Sequence, residues 1–78
     1  MAWNEQDGAL TRQFEFTDFV EAFGFATRVA LLAQRQNHHP DIAISWNKVT
    51  ITSTSHDAGS TVTDRDQKLT ASIDELLS

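Results

Sequence analysis

The chain has 78 residues, no cysteine and a formal net charge of -5, with six Lys and Arg against 11 Asp and Glu. That length bounds one small domain over residues 1–78, without disulfides or thiolate–zinc sites, so association of copies is the expected supplement to a modest core. The charge excludes the basic stripe on which nucleic-acid binding rests and disfavours anionic membranes, and the longest apolar run, Val29–Ala33, falls far short of the roughly 20 residues of a membrane span.

The N-terminal run Met1-Ala2-Trp3-Asn4-Glu5 has neither the basic start nor the apolar stretch of a signal peptide, so the chain reads as cytoplasmic. Residues 1–10 are polar apart from Trp3, Ala9 and Leu10, and their trace of helical character defines no element. From Arg12 to Phe16 the pattern alternates, Phe14 and Phe16 against Gln13 and Glu15, which predicts a half-buried strand. Thr17 offers an N-cap oxygen, and Asp18 and Glu21 suit the start of a helix. Phe19, Phe23, Ala26, Ala30 and Ala33 then form one helical stripe, predicting a helix over Asp18–Gln36 that stops at Asn37 and Pro40.

Ile42, Ile44 and Trp46 alternate, as do Val49 and Ile51, around Asn47-Lys48, which predicts a hairpin with Trp46 in its core. Counting about that turn sets Ile44 opposite Ile51 and Pro40 opposite Ser55. A loop, Asp57–Val62, follows. Thr63 and Asp66 have the form of a capping box, and Leu69, Ile73 and Leu76 mark a last helix. The order strand–helix–hairpin–helix predicts an α+β fold, with two helices on one face of an antiparallel sheet. Gln13, Glu15, Thr50, Thr52 and Thr54 make the other face polar enough to meet water or a second subunit.

All three histidines fall at element boundaries: His38 and His39 before the hairpin, His56 after it. Antiparallel pairing draws those two chain ends together and clusters the imidazoles. Imidazoles with ordinary pKa values near 6.5 are suited to moving protons at neutral pH. Two other readings stand beside that one. The three could be plain surface histidines, or a metal site with Asp57, although adjacent His38 and His39 point to opposite sides of an extended chain. Asp66 likewise has two readings, a cap residue or a carboxylate on the apolar stripe one turn before Leu69.

The run Asn37-His38-His39-Pro40, the aromatic Trp46, Ser55-His56-Asp57-Ala58-Gly59 and Asp64-Arg65-Asp66 closely resemble pterin-4a-carbinolamine dehydratases. Phe14-Glu15-Phe16, Asp18-Phe19 and Ala30 extend the likeness over most of the chain. The resemblance implies dehydration of 4a-hydroxytetrahydropterins to quinonoid dihydropterin and water, without metal or organic cofactor. It recycles the pterin used by aromatic amino acid hydroxylases. By the same resemblance His38 and His56 are the proton-transfer pair and His39 binds or polarises the pterin. Pro40 stiffens the histidine segment, Ser55, Asp57 and Ala58 line the pterin edge, and Arg65 and Asp66 stand at the rim, where Asp66 orients a histidine. A homodimer or homotetramer is implied too.

Two positions depart from the family pattern. Gln34 stands where an acidic residue is common, four before the first histidine, and the loop from His56 to Asp66 is one residue longer, around Ser60-Thr61. The alternative role is that of a protein-binding module, since animal members of the family also serve as dimerisation partners of a transcription factor.

Overall fold

In the computed structural model, which describes residues 3–77, the chain begins with a ribbon the apolar pattern does not disclose. Strand β1 (Asn4–Gln6) pairs antiparallel with β2 (Ala9–Glu15) around Asp7-Gly8. Both turn residues have positive φ, 55° and 76°, the requirement that makes Asp-Gly a strong hairpin signal. This corrects the weak helical reading of residues 1–10. Its cause is composition: Asn4, Glu5 and Gln6 are all exposed, so β1 has no apolar alternation to betray it. Met1 and Ala2, the first residues of the stretch read for a signal peptide, lie outside the described residues, as does Ser78.

Helix α1 (Phe19–Gln36) is capped by Asp18, not Thr17. The Asp18 carboxylate accepts from the Glu21 N–H (2.9 Å), and the Glu21 side chain accepts from the Thr17 N–H (3.0 Å). The helix buries Ala22, Phe25, Ala26, Val29 and Ala33. Of the predicted stripe, Ala26 and Ala33 are buried, while Phe19, Phe23 and Ala30 face outward. The helix carries two apolar stripes, and the sheet takes the one centred on Val29.

Strands β3 (Asp41–Ser45) and β4 (Lys48–Ser53) form the predicted hairpin, but around Trp46-Asn47. The register is therefore two residues away from the count given above: Ile44 pairs Val49 and Ile42 pairs Ile51. A slip of two keeps every side chain on its face, so the alternation survives. Trp46 takes φ 53° and is 66% exposed, which corrects its core assignment. Asn47 is buried instead. Its side-chain N–H donates to the Phe16 carbonyl (2.9 Å), and its own carbonyl accepts from the Phe16 N–H (2.8 Å). These bonds to the end of β2 decide which two residues turn.

The sheet order is β1-β2-β4-β3, antiparallel throughout. After a short 3-10 turn at His56–Ala58, helix α2 (Asp64–Glu75) opens on the capping box that Thr63 and Asp66 predict. Leu69 and Ile73 are fully buried and Leu76 packs against the same core. Both helices lie on one sheet face, around Phe14, Phe25, Val49 and Ile51. Gln13 and Glu15 are exposed on the opposite face, and Thr50, Thr52 and Thr54 are half-buried. The α+β architecture is the one expected.

Candidate active site

Helix α1 ends on Asn37 in the left-handed conformation (φ 53°, ψ 42°), which asparagine tolerates better than most residues. The His38 N–H then reaches back to the Ala33 carbonyl (3.1 Å), a six-to-one closure that reverses the chain and turns His38 inward. Asn37, His38, His39, Thr54, His56, Asp57 and Arg65 line one open cleft of about 240 Å³. The three imidazoles therefore meet at one place, as strand pairing predicts.

Asp66 lies behind the cleft, fully buried at the start of α2. Its carboxylate accepts from His38 Nε2–H (2.6 Å), the Ser53 hydroxyl (2.6 Å), the Ser55 hydroxyl (2.6 Å) and the Thr63 N–H (2.9 Å). Burial by itself would raise its pKa. The bonds from His38, Ser53, Ser55 and Thr63 outweigh burial and hold the carboxyl well below the ordinary range. The cap and histidine-orienting roles of Asp66 thus coexist, one through the Thr63 N–H and the other through His38. Because Ser55 donates to Asp66, the Thr63 hydroxyl (2.7 Å) donates to Ser55, and Thr63 in turn accepts from the Arg65 N–H (3.3 Å). Each hydroxyl passes polarity in one direction, toward the carboxylate.

With Nε2 committed to Asp66, the His38 ring keeps only Nδ1 for other chemistry. His39 is exposed and its Nε2–H donates to Gln34 Oε1 (2.9 Å). A neutral amide, that of Gln34, therefore orients His39. His56 is exposed, and among the described residues its ring meets no hydrogen-bond partner. Arg65 pairs with Asp57 (2.9 Å) and donates to the Asn37 carbonyl (3.1 Å), tying the two rims together. Asp57 and Arg65 also bound an adjoining cleft of about 320 Å³ that reaches Ser55, Ala58, Thr63 and Asp64.

Of the candidate residues, His38, His39, His56, Asp57 and Arg65 share the first cleft, and Ala58 borders the second. Ser55, although buried, also lines the second, Asp66 lies beneath, and half-buried Pro40 lines neither cleft. Ser53, Thr54 and Gln34 complete the surroundings; of these the sequence points only to Gln34. Ser53 did carry a signal, a hydroxyl on the apolar face set by Val49 and Ile51. Among the described residues no three His, Asp or Glu side chains converge as ligands for one ion.

The fold and site define a class: a two-layer α+β domain whose histidine cleft is backed by a buried, hydrogen-bonded aspartate. The profile of the family described as pterin 4 alpha carbinolamine dehydratase matches residues 1–76, and the chain belongs to that family. It is 52% identical over 69 residues to a Rhodospirillum rubrum protein provisionally named a pterin-4-alpha-carbinolamine dehydratase, covering 88% of this chain and 71% of the relative. A transcriptional coactivator/pterin dehydratase from Brucella melitensis superposes with TM-score 0.89 at 34% identity, over 99% of this chain and 83% of that one. A pterin dehydratase-like protein identified as a RuBisCO assembly factor in the alpha-carboxysome shares the fold, at TM-score 0.82 and 23% identity, over 97% of this chain and 89% of that one.

Proposed function

We propose that this chain, acting as a single domain, dehydrates 4a-hydroxytetrahydropterins, 4a-hydroxytetrahydrobiopterin among them, to quinonoid dihydropterin and water. The observation that carries this reading is the meeting of three imidazoles in one cleft, with His38 anchored on the buried Asp66 carboxylate. Hydroxide leaves carbon poorly, so the reaction needs a proton for the 4a oxygen and a base for the proton on the adjoining ring nitrogen. His38 takes the nitrogen proton on Nδ1, because the carboxylate behind Nε2 stabilises the imidazolium that forms. His56 donates to the 4a hydroxyl. The C–O bond breaks, a carbon–nitrogen double bond forms in its place, and water leaves. Solvent returns the proton from His38 to His56.

His39 holds the pterin edge, supported by Gln34, and Pro40 limits the freedom of the histidine segment. Ser55, Asp57, Ala58 and Arg65 frame the remaining edges, Ser55 by its bulk, because its hydroxyl is engaged with Asp66 and its N–H with Thr61. Ordinary side chains supply all the chemistry in this scheme, so it calls for no metal or organic cofactor. The setting is the cytoplasm, where the product re-enters the cycle of an aromatic amino acid hydroxylase. Among the described residues no helix is long and apolar enough to cross a membrane.

A dehydration assay on enzymatically generated 4a-hydroxytetrahydropterin tests the scheme. His38→Ala and His56→Ala are each expected to lower kcat/KM by about 100-fold or more. Unchanged rates in both variants would overturn it.

A second reading rests on a different surface. Phe19, Val20, Phe23 and Leu31 stand 50–78% exposed along α1, an apolar face of the kind that marks association. It supports self-association into a dimer or tetramer, and also a protein-binding role like those named for the Brucella and carboxysome proteins. Retained dehydratase activity would exclude a purely structural role.

A further inference from the structure

The three imidazoles are held in different ways. His38 is fixed by Asp66 and His39 by Gln34, whereas His56 has no side-chain partner among the described residues. No side-chain hydrogen bond among the described residues holds the His56 ring, so its placement depends on where the backbone carries it. That backbone belongs to a closed loop: the Ser55 N–H bonds the Thr61 carbonyl (3.0 Å) and the Ser60 N–H bonds the Ser55 carbonyl (3.0 Å). Gly59 and Ser60 both take positive φ, 82° and 56°, so the loop has little freedom to slide.

The outer side of this loop rests on the β1–β2 turn. A Cβ added to Gly8 would fall far inside contact distance of the Ser60 carbonyl oxygen, and Gly8 itself has φ +76°. Glycine is needed there for both conformation and space. Thr54, which lines the histidine cleft, donates its hydroxyl to the Gly8 carbonyl at 2.6 Å. One residue of the turn thus meets the loop at Ser60 and the strand end at Thr54, on either side of His56. Ser60 lies where the loop is longer than the family pattern.

We propose that the Asp7-Gly8 turn positions His56, with Gly8 and Thr54 as the positioning residues. The N-terminal ribbon is in this way part of the active-site architecture although it contributes no group to the chemistry. For turnover the inference rests on the dehydratase reading; for geometry it does not.

The test is Gly8→Ala in the wild-type and His56→Ala backgrounds. With His56 present, kcat is expected to fall by about 10- to 100-fold, the scale of a small misplacement of a reacting group, with KM changed by less than about twofold. In the His56→Ala background the same substitution is expected to cost less than about twofold more, since the two act through one group. Equal losses in both backgrounds, or no loss with His56 present, overturn the proposal. Should Gly8→Ala not fold, Thr54→Val removes the hydrogen bond alone, and Thr54→Ser is expected to restore the rate. The His56 ring resonances are expected to move in Thr54→Val while those of His39 stay. Unmoved His56 resonances overturn the proposal whatever the turnover. A wild-type protein without dehydratase activity overturns the functional reading instead, and leaves the resonances to decide the positioning.

Discussion

Asp66 is fully buried and its carboxylate accepts from four donors, so a proton on this carboxyl must break at least one of those bonds. The consequence is a pH dependence of fixed sign. The folded pKa lies below that of the unfolded chain, near 3.9, so between the two values the unfolded state binds more protons. The stabilisation is complete above the ordinary carboxylate range and is lost as pH falls through that range toward the folded value. Thermal midpoints from pH 5 to pH 3 are expected to drop more steeply in the wild type than in Asp66→Asn; parallel slopes would remove the carboxylate from this role. Ser53→Ala takes one charge-assisted bond from the same group and is expected to cost about 1.5–3 kcal/mol in urea denaturation. At this scale the sequence discloses Asp66 twice, through its capping-box spacing and its place on the apolar stripe. It does not disclose Ser53 as a partner, because the two residues stand 13 apart on different elements and nothing local brings them together.

Helix α1 shows why a periodic pattern can be right about an element and wrong about its orientation. Phe19, Phe23 and Ala30 fall on one stripe, Ala22, Phe25 and Val29 on another, and both satisfy helical spacing. Only the sheet beneath selects between them: Phe25 packs against Phe14 and Phe16 at ring-centroid distances of 4.8 and 5.0 Å. Phe25→Ala is expected to destabilise by about 3–5 kcal/mol, against about 0.5 kcal/mol for Phe23→Ala in the monomer. Denaturation at low protein concentration separates them, and similar losses would contradict the assignment of faces. The β3–β4 turn makes a second case. An exposed tryptophan at φ 53° occupies a position where hairpins favour glycine. Trp46→Gly is expected to be neutral or to stabilise by up to about 1 kcal/mol despite losing a large side chain, and a loss of stability would mean that the indole packs against something.

For the whole molecule, the question is what becomes of the apolar surface that the core leaves uncovered. A domain this small gains limited burial from its own fold, and the outer stripe of α1 offers more. Phe23→Glu together with Val20→Glu is expected to shift sedimentation-equilibrium mass toward 8.7 kDa while far-UV circular dichroism stays unchanged. Unaltered mass would move the association surface elsewhere.

What the amino-acid sequence determined by itself are features set by neighbours along the chain: the alternation of β2, β3 and β4, the helical periods, the stop at Asn37, the Thr63–Asp66 cap and the boundary positions of the histidines. Each follows from steric and hydrogen-bonding rules that act within a few residues. The tertiary structure decided which stripe of α1 is buried, which two residues turn between β3 and β4, and that an all-polar N-terminal segment becomes an edge strand. It also joined His38, Ser53 and Ser55 on one carboxylate. Those choices belong to groups far apart in the chain, where local energies are nearly degenerate and a bond or a packed ring across the fold removes the tie.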